Sequence, residues 1–67
     1  DGYRYIGYFF NWVRETKDPD FIRKMNHTCL TVVPWSWDGA IQSVLGPDYT
    51  IDSLWHEYQV AIGDIKE

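Results

Sequence analysis

The dipeptide His56-Glu57 is the pair in this chain whose residue types and order most directly suggest chemistry. In peptidase motifs of the form H-E-x-x-H, two histidines one helical turn apart hold zinc and the glutamate acts as general base. Here the fourth residue after His56 is Val60, so the second ligand is missing. His56 also falls on the polar side of its segment, which makes it a solvated surface histidine. His27 lies opposite an apolar face and is assigned the same role. With two histidines far apart and one cysteine, no metal site is expected within this chain.

Nucleophilic chemistry finds no better footing. Cys29 shares the apolar face of a predicted helix, where a buried thiol is inert, and core packing is its expected role. Ser36, Ser43 and Ser53 stand at caps or inside helices with no nucleophile elbow around them. The five glycines are scattered, so no phosphate-cradling loop forms. Asp18 and Asp20 suit a helix start, which attracts negative charge, better than an acid/base pair. The segment Pro34-Trp35-Ser36-Trp37-Asp38-Gly39 is the most unusual. Trp35 and Trp37 can stack on substrate, a sugar ring or a peptide, or can plug the gap between two helices. The plug is preferred, because a small core needs large fillers. No complete catalytic site is present.

Hydrophobic spacing predicts the elements that hold these residues. At about 100° per residue, Tyr3, Ile6, Phe9, Phe10 and Val13 share one helical face, and Tyr5, Tyr8 and Trp12 form a second stripe beside it. Together they cover roughly 200° of the wheel, against about 100° for a one-sided surface helix. This helix needs neighbours on two sides, and Tyr5, Tyr8 and Trp12 are its expected interface with a part outside the chain. Asp18 as N-cap and Pro19 at the first helical position predict a second helix, with Phe21, Ile22, Met25, Cys29 and Val32 on one face and Arg23, Lys24 and His27 opposite. Thr31-Val32-Val33 before Pro34 weakens its end and predicts an extended link near residues 33–35. Ser36 caps a third helix running to Leu45, and Gly46-Pro47 stops it. Thr50 caps the fourth, whose face comprises Ile51, Leu54, Trp55, Tyr58, Ala61 and Ile62. No segment alternates like a strand. The fold class is all-α, with four short helices over about 3–16, 19–32, 37–45 and 51–62.

A chain of 67 residues is at most one domain. At this size it buries only about 60% of the surface its unfolded form exposes. Its twelve Trp, Tyr and Phe residues are more than such a core covers easily. Ten acidic against six basic residues give a net charge of −4, and no Lys/Arg run exceeds Arg23-Lys24. Nucleic acid is therefore not an expected partner, because phosphate binding needs clustered positive charge. No apolar run reaches the roughly 18–20 residues of a membrane span, and there is no signal-peptide pattern. Starting at Asp1 rather than Met fits a processed or excised segment.

Four stretches carry a family likeness: Gly2-Tyr3; Tyr8-Phe9-Phe10-Asn11-Trp12-Val13; Thr16 to Asn26 with its Lys-Asp-Pro-Asp-Phe helix start; and Tyr49 to Tyr58 with its T-x-D-x-L-W-x-E-Y pattern. In this order they resemble the C-terminal region of the plant basic secretory proteins and their bacterial relatives, a family of zinc-dependent peptidases of the zincin type. The likeness spans nearly the whole chain. The link around Pro34-Trp35-Ser36-Trp37 is closer to bacterial members than to plant ones.

The resemblance implies that residues 1–67 form a single helical subdomain, the C-terminal part of a larger zincin-like fold. It implies a secreted or periplasmic parent metallopeptidase that uses zinc and cleaves peptides. The metal ligands would precede this segment, so the chain itself would supply no catalytic or metal residue. Its partner would be the remainder of the catalytic domain. Tyr3 matches the position where the family chain re-enters beside the active-site helices, and a phenol there could donate to an oxyanion. Packing on the Ile6/Phe10 face is the competing role for Tyr3. A different reading of the same aromatics is a free-standing helical module that binds a protein through Tyr5, Tyr8 and Trp12.

Overall fold

Four helices form, as the spacing predicts: α1 over Gly2–Thr16, α2 over Phe21–Thr31, α3 over Trp37–Leu45 and α4 over Ile51–Ala61. The computed structural model describes residues 2–63, and of residues 2–5 the backbone alone. No strand occurs among the described residues, so the fold class is all-α. Backbone contacts link α1 to α2, α2 to α3, α3 to α4 and α4 back to α1, closing the helices into a ring around one core. Phe21, Ile41, Leu54 and Val13 are its largest fully buried side chains, one from each helix.

Local chemistry sets most helix ends. Ser36 is the N-cap of α3 and its hydroxyl accepts the Gly39 N–H at 3.0 Å. A Cβ on Gly39 would stand 2.9 Å from Ser36 Oγ and 3.0 Å from Val32 Cγ1, so a larger residue there would have to displace the capping hydroxyl or the Val32 methyl. Gly46 ends α3 at φ 112°, a conformation that side chains other than glycine's rarely allow. Thr50 and Ser53 satisfy each other's backbone N–H groups in a capping box at the start of α4. Asp38 adds a tertiary cap: its Oδ1 accepts the Ile51 N–H at 2.8 Å and so ties the first turn of α3 to that of α4. Thr50→Ala should cost about 1 kcal/mol, the usual loss for a removed N-cap. A urea titration that shows no loss would mean Asp38 alone suffices.

The start of α2 differs from the expectation of Asp18 as N-cap and Pro19 as first helical residue. Asp18 instead opens a turn: its carbonyl accepts the Phe21 N–H at 3.0 Å and its Oδ1 accepts the Asp20 N–H at 2.9 Å. Pro19 occupies the second turn position, which its fixed φ suits. Asp20 is the N-cap residue, at φ −98° and ψ 15°, and the helix begins at Phe21.

The buried face of α2 is also rotated from the predicted one. Phe21, Met25 and Thr28 are buried and Val32 is half-buried, a row at spacings of four, three and four. Ile22 is 44% exposed and Cys29 is exposed, so neither is core as expected. Thr28 can replace an apolar residue because its hydroxyl is fully used, donating to the Met25 carbonyl at 2.6 Å and accepting from Trp35 Nε1 at 2.9 Å. In α4, Leu54 and Tyr58 are buried, whereas Ala61 and Ile62 at its end are exposed. Val32 is extended at φ −100° and ψ 110°, which places the predicted break just ahead of Pro34.

Candidate functional site

Aromatic side chains cover one another at the α1–α4 seam. The Phe9 ring lies 5.1 Å from Trp55, edge to face, and 5.4 Å from Tyr58, while Trp12 sits 5.6 Å from Tyr58. Phe10 meets Phe21 edge to face at 5.4 Å and Trp37 at 6.0 Å. Such pairs prefer tilted or edge-on geometry because ring faces are negative and edges positive. This packing leaves one side open. Ile6, Phe9, Phe10, Trp37, Ile51 and Trp55 line a groove of about 270 Å³ with Asp52 at its border. Ile6 is 46% exposed, and Trp37 and Trp55 stand similarly half out of the core. A groove of this composition can bury apolar surface, and Asp52 is the one ionisable group among its lining residues.

The residues expected to meet an outside part fall in different places. Tyr8 is exposed on α1, whereas Trp12 is half-buried against Phe9 and Tyr58. The side chains of Tyr3 and Tyr5 lie outside the described residues. Trp35 and Trp37 pack edge to face at 5.0 Å, with Trp35 tied to Thr28 and Trp37 forming a wall of the groove. The groove was not legible beforehand, because it needs Ile6, Trp37 and Trp55 from three different helices.

Glu57, the carboxylate of the His-Glu pair, has a structural partner. Its Oε1 accepts a hydrogen bond from Lys17 Nζ at 2.6 Å, and that ammonium stands 5.8 Å from the Trp12 ring centre and 5.4 Å from that of Tyr49. One cation thus joins the end of α1, the α3–α4 turn and α4. The contact with Glu57 holds the Lys17 pKa above its ordinary 10.5, against the opposing effect of burial. Asp18 is held below its ordinary 3.8, first by the Lys24 ammonium at 2.6 Å and then by the Asp20 N–H.

The two shifts give stability a plateau with two edges. A raised lysine pKa contributes fully below its unfolded value, and the contribution is lost as pH rises through the folded pKa. A lowered aspartate pKa contributes above its unfolded value, and is lost as pH falls through the folded pKa. Urea midpoints should therefore fall below about pH 4 and above about pH 10. Lys17→Met should flatten the alkaline edge alone. An alkaline edge unchanged in that variant would remove Lys17 as its source.

His27 and His56 are exposed on different helices, and no group of three or more His, Cys, Asp or Glu side chains converges among the described residues. No helix among them is long and apolar enough to cross a membrane.

A family model described as peptidase of plants and bacteria matches residues 1–58, a span that ends on Tyr58, the last buried side chain of α4. Neither the curated proteins nor the solved structures give a significant match. With the match running through all four helices, the chain belongs to the family of peptidases of plants and bacteria.

Proposed function

We propose that this chain is the C-terminal helical subdomain of a secreted zinc metallopeptidase of its family, and that it docks on the catalytic part through the open groove of α1, α3 and α4. Family membership supports the peptidase half of this reading. The observation that carries the docking half is the groove itself, an apolar strip walled by two half-exposed indoles, Trp37 and Trp55. Apolar patches of this kind mark surfaces that another body covers. The zinc ligands and the general base are assigned to residues outside this chain, and no step of hydrolysis is assigned within it. Tyr8, 61% exposed on α1, offers the catalytic part further aromatic surface. Trp37 becomes part of the covered groove, which leaves the outer edge of Trp35 to meet a peptide.

The reading frame and the metal content test this together. The region upstream of Asp1 should encode H-E-x-x-H, and the whole protein should hold zinc that the 67 residues alone do not retain. A start codon immediately before Asp1, or stoichiometric zinc on the isolated chain, would sink the proposal. Docking has its own variant: Ile6→Glu places a charge in the groove at a position 46% exposed in the chain. The whole protein should lose stability and activity, while the chain alone keeps its helix content. Unchanged activity would show that the groove is not the contact.

A further inference from the structure

A second cleft opens between α2 and α3, and none of its lining residues belongs to the apolar groove. It encloses about 290 Å³ and is lined by Arg23, Lys24, His27 and Thr31 from α2 and by Ser43 and Val44 from α3, with Thr28 at its base. Arg23, His27 and Thr31 are spaced by four, so they stack along one row of the helix and turn their donors to the same side. No carboxylate lines the cleft, although the chain carries ten acidic residues against six basic ones. The lining is therefore basic, with the partner carboxylates Asp18 and Asp20 standing outside it.

Much of its donor capacity is unspent. The side chains of His27, Thr31 and Ser43 make no hydrogen bond with any described residue. Lys24 is held by Asp18 at 2.6 Å, a contact that keeps its charge at the cleft edge. Arg23 meets Asp20 through Nη2 alone, at 3.1 Å, with side chains 70% and 58% exposed. A guanidinium has five N–H donors in a planar fork, so this single contact leaves most of them available. Exposed one-contact pairs are weak and open readily.

We propose that this cleft binds a small oxyanion, with Arg23 and His27 as its donors. The helix dipoles fix where it sits. Thr31 and Ser43 belong to the last turns of α2 and α3, where partial negative charge gathers, so the anion lies toward the Arg23–His27 end. A planar guanidinium fork suits either a phosphate or a carboxylate, and both groups carry the oxygen pair it recognises. The proposal is independent of the peptidase reading.

Nuclear magnetic resonance of the full chain, titrated with sodium phosphate and separately with sodium acetate at ionic strength balanced by sodium chloride, tests it. Saturable shifts are expected at the Arg23 side chain and the His27 ring, with smaller ones at the Thr31 and Ser43 amides farther along the cleft. Arg23→Gln, at a surface position, should weaken binding by about fivefold, the upper end for an exposed charge contact. His27→Gln should weaken it independently. Saturation by acetate as well as phosphate would extend the site to carboxylate-bearing ligands such as a peptide terminus, and saturation by phosphate alone would restrict it to phosphate groups. Linear shifts with both salts, or equal affinity in Arg23→Gln and the parent chain, would overturn the proposal.

Discussion

Phe21→Ala should leave the chain without a cooperative unfolding transition. Phe21 is fully buried, stands at the first turn of α2 and meets Phe10 edge to face at 5.4 Å. Removing a buried phenylalanine ring costs about 3–5 kcal/mol, through lost transfer energy and the cavity left behind. A core of this size rarely supplies more than about 3–5 kcal/mol in total. The two quantities are equal, so the variant has nothing left to fold with. Thermal melts followed by circular dichroism should show a sloping loss of helix rather than a sigmoid. Ile22→Ala makes the contrast, since Ile22 is 44% exposed and a surface change of this kind stays within about 0.5 kcal/mol. A large loss for Ile22→Ala would mean that α2 sits in the register first expected from its sequence, and a sharp melt for Phe21→Ala would mean that this ring does not anchor the core in either register.

That register shows where the sequence stops being informative. Caps depend on neighbours in the chain, and Ser36, Gly46 and Thr50 all act as their positions predict. The start of α2 is harder, because Asp18-Pro19-Asp20 satisfies the chemistry of an N-cap with a first-turn proline and of a turn with proline second. The turn wins here because the Asp18 carboxylate is held by the Asp20 N–H and by Lys24 six residues on. Apolarity alone picks Cys29 over Thr28 for the core. The reversal depends on the Trp35 indole returning from the link to meet the threonine hydroxyl, a contact that no periodicity contains.

The site was legible in part for similar reasons. Val60 in place of a second histidine excludes a local H-E-x-x-H motif without any structure. That Glu57 instead binds Lys17, forty positions earlier, needs the fold to be seen. The excess of aromatic surface on α1 was visible in the wheel, but not its distribution. Trp12 is largely absorbed by Phe9 and Tyr58, while Ile6, grouped with the core face, is left at the open groove.

Thr28→Val should destabilise the chain by about 1–2 kcal/mol even though valine is more apolar and nearly the same shape. Thr28 is 2% exposed and its hydroxyl is the acceptor for Trp35 Nε1 at 2.9 Å. Valine leaves that indole N–H without its partner, and Trp35, at 39% exposed, must turn outward to find water. The turn also breaks its edge-to-face contact with Trp37 at 5.0 Å, so the loss spreads to the wall of the groove. Tryptophan emission should shift to the red, and the urea midpoint should fall. Trp35→Phe removes the donor instead of the acceptor, so the two changes should not add: the double variant should lose about 0.5–1.5 kcal/mol less than the sum of the two single losses. Strict additivity would show that the hydroxyl and the indole act separately, and Thr28 would then owe its buried place to the bond with Met25 alone.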